Sequence, residues 1–352
     1  MATALTRPLA GRTVRTRRWT WQHWLALAGA ICLLWGGWTI VAWIAAGLHQ
    51  VTRFRDHGDP SWIAARLYEA AALVMSAVVL TLVVRGCRRQ RRLTWDAQLC
   101  IAGLLVYWVD PLPNFYQPIV MYSSQWTNVT NWCSQTPFVV NTDCGRMPEA
   151  VAFLWPVYTF GLLAAAMLGG WVLRRVTARN PAVSFARLVW ISAALGAGID
   201  MAMEIPIIRF GLWRYAAFPD ALSIFGGEFR YPMFEALVAI VFFAPVFMIR
   251  HCKDDRGRTV FERGLDHLSP ARRTGVSLLA TIGLVQILVI VGCLLLIPLA
   301  PYTGPFPPYP AHLVNGLCDN GEFTHTRYGP CPGSPGYTAP VRHLPGEKPP
   351  RG

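Results

Sequence analysis

The chain has 352 residues, of which 53% are hydrophobic and only 14% charged, and its formal net charge is +13. Soluble domains carry about 25% charged residues, which excludes an ordinary water-soluble globular protein. The basic excess is no nucleic-acid footprint either. Its arginines sit in short clusters beside apolar runs, where they are drawn to the anionic headgroups of a lipid bilayer.

About 20 apolar helical residues cross the hydrocarbon core, and seven runs are predicted as spans. In chain order they are Trp24–Leu48, Trp62–Val84, Leu93–Val109, Ala150–Leu173, Leu188–Ile208, Pro232–Ile249 and Val276–Leu299. The third is short and ends at Asp110-Pro111, so six spans is the competing count. A basic segment, 1–23, precedes the first span with Arg7, Arg12, Arg15, Arg17 and Arg18. That first apolar run is too long for the core of a cleaved signal peptide and reads as a signal anchor.

Basic residues recur in alternate connections: Arg85 to Arg92, then Arg174 to Arg187, then Arg250 to Arg273. The intervening connections carry fewer, with Arg53 and Arg55, then Arg146, then Arg209, Arg214 and Arg230. By the positive-inside rule the N-terminus is cytoplasmic and the C-terminus extracytoplasmic. The expected fold class is an all-α, multi-pass protein of the cell membrane, a bundle of about seven transmembrane helices. Residues 24–300 form that bundle, with an outer loop over 110–148. A Pro/Gly-rich extracytoplasmic tail follows over 301–352.

Cys133 and Cys144, and Cys318 and Cys331, fall in regions predicted to lie outside, where disulfides persist. Cys32, Cys87, Cys100, Cys252 and Cys293 fall in spans or on the inner side and read as packing residues or free thiols. No CxxC or Cys/His spacing supports a metal site, and there is no GxGxxG, Walker or HExxH pattern. Neither a metal nor a cofactor is expected.

Ionisable residues inside spans are expensive and mark function by default. The predicted topology places Glu69, Asp110, Glu149, Asp200, Glu204 and Glu235 in the outer half of the bundle or at its edge. In "DMAMEIPIIRFGLWRY", Asp200 and Glu204 stand four residues apart, one turn apart on one helix face. Two carboxyls that close in a low dielectric cannot both ionise cheaply, so one keeps its proton while the other is a carboxylate. That makes a natural acid/base pair. Pro206 frees the carbonyl of Ala202 from its helical bond. The plainer alternative pairs Asp200 and Glu204 with Arg209 or Arg214 as structural glue.

The stretch "YWVDPLPNFYQP", 107–118, forms a second constellation. A residue before proline avoids the helical region, so the span is expected to break at Asp110, with Pro111 and Pro113 keeping the following residues extended. Asp-Pro is also an ordinary helix stop. Aromatic residues crowd the same level, among them Tyr107, Trp108, Trp126, Trp132, Trp155, Tyr158, Trp213, Tyr215 and Tyr231. Most read as an interfacial belt; some can instead line a pocket and steady a cation. Gly161, Gly169 and Gly170, with Gly196 and Gly198, read as close helix contacts.

With "YWVDPLPN" at a span end and "GIDMAMEIPIIRFGLWRYA" later, the chain from about Trp24 to Pro301 resembles the AveC-type spirocyclases, actinobacterial membrane proteins of secondary metabolism. The resemblance implies closure of a lipophilic, polyketide-like dihydroxy-ketone into a spiroketal, in some members with a linked dehydration. It carries no catalytic residues over letter by letter.

From the residues, Glu204 is the candidate acid and Asp200 the base or counter-ion, with Asp110 and Glu235 as further catalytic candidates. Asn114, Trp213, Arg214, Tyr215 and Tyr107 are the candidate substrate-binding residues. Three alternatives stand beside this reading. One is an isoprenoid or carotenoid cyclase-like enzyme that protonates an alkene. Another is a membrane carrier, which predicts ionisable residues through both halves of the bundle. The last is a non-catalytic assembly protein.

Overall fold

The computed structural model describes residues 19–47, 60–115, 119–140, 144–145, 147–215, 220–226 and 229–296. The basic segment up to Arg18, the clusters at Arg53, Arg55 and Arg146, and the tail with Cys318 and Cys331 lie outside the described residues.

Among the described residues eight α-helices carry the fold: α1 (Trp21–Ala45), α2 (Pro60–Gln90), α3 (Trp95–Val106), α4 (Val151–Pro156), α5 (Leu162–Arg179), α6 (Phe185–Arg209), α7 (Met233–His251) and α8 (Pro270–Leu296). A π-helical turn, Val157–Gly161, joins α4 to α5 into one continuous rod just past Pro156. Among the described residues, six helical stretches are long and apolar enough to cross a membrane, and α3 is not among them. Large apolar side chains on their outer faces are exposed, including Leu34 and Trp38 on α1, Leu67 and Val74 on α2, and Trp190 on α6. Apolar surface of that extent suits lipid rather than water. This is the pattern of a multi-pass membrane protein.

The predicted third span is therefore shorter than expected. The 12 residues of α3 rise only about 18 Å, against a hydrocarbon core of about 30 Å. Its apolarity has another cause: Leu99, Ala102 and Val106 are fully buried inside the bundle. Polar bonds tie it to α8, with Ser277 Oγ donating to Gln98 Oε1 at 2.8 Å and Gln286 Nε2 to the Leu105 carbonyl at 2.8 Å.

Contacts at helix ends sort the connections onto two faces. On one, Arg250 at the end of α7 pairs with Asp96 at the start of α3 at 3.0 Å. Arg92 pairs with Glu262, and Gln22 of α1 donates to the Arg263 carbonyl. The arginine-rich connections predicted as cytoplasmic share this face. On the other, Trp43 of α1 donates to the Thr130 carbonyl at 3.0 Å, and Arg66 of α2 to the Gln125 carbonyl at 2.7 Å. Short as it is, α3 starts at the first face and points towards the second.

The described part of the predicted outer loop forms a cap on the second face. It contains β1 (Val120–Tyr122), β2 (Val129–Thr130) and β3 (Pro148–Glu149). After α6 come β4 (Trp213–Tyr215), β5 (Ser223–Ile224) and β6 (Tyr231–Pro232). They pair antiparallel as β1 with β4, β2 with β3, and β5 with β6. A disulfide joins Cys133 to Cys144 within the cap. Opening it with paired serines removes a constraint worth about 3 kcal/mol for so short a loop. The Cys133→Ser, Cys144→Ser protein is expected to melt several degrees lower, read by a thermal scan, with the helical content of the bundle unchanged.

The chain after α3 departs from expectation. Asp110 and Pro111 both adopt helical angles, at φ −48°, ψ −43° and φ −73°, ψ −7°, and 3-10 turns flank them at Tyr107–Val109 and Leu112–Asn114. The α-helix does break, but the segment coils rather than extends. The pre-proline bias is a preference, and here hydrogen bonds that anchor the Asp110 carboxylate override it.

Candidate functional site

The site begins with how α6 ends. Ser184 caps its N-terminus, accepting from Arg187 N at 3.3 Å. At the far end Gly211 takes φ +67°, a left-handed conformation that favours glycine. Gly211 N then donates to the Ile208 carbonyl at 2.9 Å and Leu212 N to the Ile207 carbonyl at 3.1 Å, which is a Schellman stop. This turn folds β4 back over the bundle, where it pairs Tyr215 with Val120 and Trp213 with Tyr122 of β1.

Strand side chains alternate between faces. Val120, Tyr122, Trp213 and Tyr215 accordingly line one cavity, while Met121 and Arg214 do not. Asn114 anchors the ribbon: its Oδ1 accepts from Ile119 N at 2.7 Å and Val120 N at 3.0 Å, and its Nδ2 donates to the Val120 carbonyl.

The cavity beneath the ribbon measures about 430 Å3, within the usual range for small-molecule sites. Its walls are mostly apolar, with Leu162, Ala165, Phe242 and Leu288 among them. One of its lining residues, Leu168, is also exposed on the outside of the bundle. Four carboxyl side chains line it: Asp110, Asp200, Glu204 and Glu235. All four are buried, and no Lys, Arg or His stands among the described lining residues.

Asp200 and Glu204 share a face of α6, and Glu235 faces them from the first turn of α7. Each places a carboxylate oxygen within 4.8 Å of the other two. Phenols reach all three: Tyr231 Oη donates to Asp200 Oδ2 at 2.6 Å, Tyr215 Oη donates to Glu204 Oε2 at 2.7 Å, and Tyr215 also hydrogen-bonds the Glu235 side chain. Glu235 Oε2 is buried without a hydrogen-bond partner.

Asp110 has its own network. Tyr158 Oη donates to Oδ1 at 2.8 Å and Tyr122 Oη to Oδ2 at 2.9 Å. Tyr158 reaches it from the π turn, and such turns recur at functional sites. A Cβ at Gly103 would lie 2.2 Å from the Tyr158 carbonyl, so only glycine lets α3 approach that turn. Behind Asp110, Glu149 accepts from Tyr107 Oη at 2.8 Å and Asn131 Nδ2 at 3.2 Å and also hydrogen-bonds Asp110. Two carboxyls bonded to each other share a proton. Burial and the neighbouring Asp110 push Glu149 well above the usual carboxylate range. Burial raises Asp110 too, but the hydrogen bonds it accepts oppose the rise, so the proton belongs to Glu149.

This pair predicts a pH dependence. A carboxyl protonated in the fold releases its proton on unfolding, so stability falls as pH rises from about 4.3, the ordinary glutamate value, towards the raised one. Below that window the contribution is intact. Glu149→Gln removes it, and melting scans across pH should show the variant gaining on the wild type as pH rises.

The residues singled out from sequence divide three ways. Asp110, Asp200, Glu204, Glu235, Trp213 and Tyr215 meet at the cavity. Tyr107 instead serves Glu149, Asn114 anchors β1, and Arg214 donates to the Ile208 carbonyl and stacks 3.9 Å from the Phe229 ring centre. Glu69 pairs with Arg66 and accepts from Thr127 N at 2.7 Å, away from the cavity. Arg209 lies over the rings of Phe225 and Phe229, and the described ion pairs include none from Arg209 or Arg214 to Asp200 or Glu204. Tyr122 was not legible as a site residue. The period-two stretches VMY and WRY were the available signal, and their pairing was not.

Fold and site together give a helical bundle, with helices long and apolar enough to cross a membrane, around a carboxylate-lined apolar chamber. The family model described as "Spirocyclase AveC-like" matches residues 90–305, more than half of the chain, and the protein belongs to that family. The match holds every lining residue except Met75 and leaves α1 and all of α2 but its last residue outside. No curated protein and no solved structure matches the chain.

Proposed function

We propose that this spirocyclase-family protein closes a lipophilic, polyketide-like dihydroxy-ketone into a spiroketal inside the bilayer, using the cavity carboxyls for acid/base chemistry. One observation carries the reading: four carboxyl side chains, with no cationic partner among the described residues, surround a single apolar cavity. A structural role alone gives no reason to gather them around open space.

The chemistry matches the groups. One substrate hydroxyl adds to the ketone to give a hemiketal. An acid protonates the hemiketal hydroxyl, which leaves as water and generates an oxocarbenium ion. The second hydroxyl attacks that carbon and passes its proton to a carboxylate, so one water is lost. The cluster of Asp200, Glu204 and Glu235 supplies acid and base. Asp110, fixed by two phenols on the same cavity, is the anion that stabilises the cation. Entry at Leu168 opens sideways towards lipid, the route a lipophilic substrate needs. The arginine-rich face is assigned to the cytoplasm, which puts the cavity in the outer half of the membrane.

The test gives the purified full-length protein, in lipid nanodiscs, a dihydroxy-ketone macrolide precursor and, separately, a lycopene-type polyene. The spiroketal reading expects a product lighter by one water from the first and none from the second. Cyclisation of the polyene alone would transfer the same carboxyls to alkene protonation and overturn it.

A further inference from the structure

We infer that Asp200, Glu204 and Glu235 bind a hard divalent cation of the Mg2+ or Mn2+ type. Three carboxylate oxygens lie within 4.8 Å of one another. Oxygens on opposite sides of one ion are separated by about 4.2 Å for Mg2+ and about 4.6 to 5.2 Å for Ca2+, so one ion of Ca2+ size fits the spacing as it stands and one of Mg2+ or Mn2+ size fits once the side chains close in by about half an ångström. Carboxylates are the donors that such ions prefer.

A second observation points to a ligand. Glu235 is more than nine-tenths buried, and its Oε2 has no hydrogen-bond partner. Buried polar atoms are normally satisfied, and each exception requires a cause. With no Lys, Arg or His among the described residues lining the cavity, a small cation is a partner of the right charge and size.

The surroundings resemble a supported metal site. Tyr231 and Tyr215 each donate to one oxygen of Asp200 and Glu204, which fixes those side chains as outer partners of metal ligands do. The two rigid helices α6 and α7 carry all three residues. A cation held there faces the cavity, where a ketone or hydroxyl oxygen of the substrate can complete its coordination and be polarised. In that case the proton chemistry falls to the hydrogen-bonded pair of Asp110 and Glu149, which holds a proton between them.

The inference rests on geometry and is tested without turnover. The full chain, purified and stripped with EDTA, is titrated with MnCl2 while free Mn2+ is followed by electron paramagnetic resonance. Saturable binding of one Mn2+ per chain, displaced by Mg2+, is expected. Glu235→Gln should weaken it by at least about tenfold, the size of effect seen even for outer partners of metal ligands, while Asp110→Asn keeps it. If Glu235→Gln does not fold, the wild type decides by itself: with fluorotyrosine incorporated, bound Mn2+ should broaden the Tyr215 and Tyr231 signals. Absence of saturable binding, equal binding by Glu235→Gln, or unbroadened Tyr215 and Tyr231 signals would overturn the proposal. Such a failure leaves the acid/base reading standing, with protons neutralising the same groups. Loss of that reading would appear instead as missing product with the titration unchanged.

Discussion

Glu204→Gln is expected to lower kcat by at least about 100-fold, the lower end of what a positioned acid or base contributes, while the protein still folds. Glutamine keeps the shape of the side chain and an oxygen that accepts from Tyr215, whose hydroxyl lies 2.7 Å from Glu204 Oε2. It removes only the exchangeable proton and the charge. Asp200→Asn should behave in the same way, since Tyr231 can still donate to the amide oxygen. Specific activity and melting temperature are to be measured on the same purified samples. Unchanged specific activity with a lowered melting temperature would make these carboxyls structural and remove the acid/base account.

The second large effect belongs to the fold. At the crossing of α1 and α8, a Cβ added to Gly283 would lie 2.0 Å from the Leu25 carbonyl oxygen, and one added to Gly29 would lie 2.3 Å from the Leu279 carbonyl oxygen. Both obstacles are backbone atoms of the partner helix, so no rotamer change relieves them. Close contact through small residues is how membrane helices associate. Gly283→Leu forces the two helices apart and is expected to cost about 3 kcal/mol or more, the upper end for overpacking. It should show as a large fall in melting temperature or in yield. Gly198→Leu is the matched control, because a Cβ there meets nothing within 4 Å. Equal behaviour of the two variants would mean that α1 and α8 do not depend on this contact.

These sites mark the limits of what the sequence made legible. Hydropathy located the six long helices because lipid demands apolar residues over a fixed length. The same signal overstated α3, since a helix buried inside the bundle is as apolar as one facing lipid. Glu235 could be placed near Asp200 and Glu204 because depth in a bundle follows from topology. Their convergence to within 4.8 Å could not be read, because it depends on how α6 and α7 pack.

Arg214 shows a different limit. In WRY it stands between two aromatic residues that face the cavity, and strand alternation turns it to the other side. Its charge suggested a substrate clamp; the strand's period decided otherwise. Glycine spacing on α5 and α6 was only partly informative. Gly169 does abut Phe247, with a Cβ there 2.4 Å from the ring, while Gly198 faces open space. The tightest crossing, Gly29 against Gly283, joins helices far apart in the chain.

The central claim is that the carboxylate-lined cavity is where the substrate binds. The most direct measurement is photo-crosslinking of the full-length protein in nanodiscs with a diazirine-bearing dihydroxy-ketone analogue, followed by peptide mapping. Labelling is predicted on the cavity faces of α5, α6 and α7, at residues such as Ala165, Met203 and Phe242, and excess unlabelled dihydroxy-ketone should suppress it. Labelling confined to lipid-facing residues such as Leu34 or Val74, and unaffected by that competitor, would contradict the account.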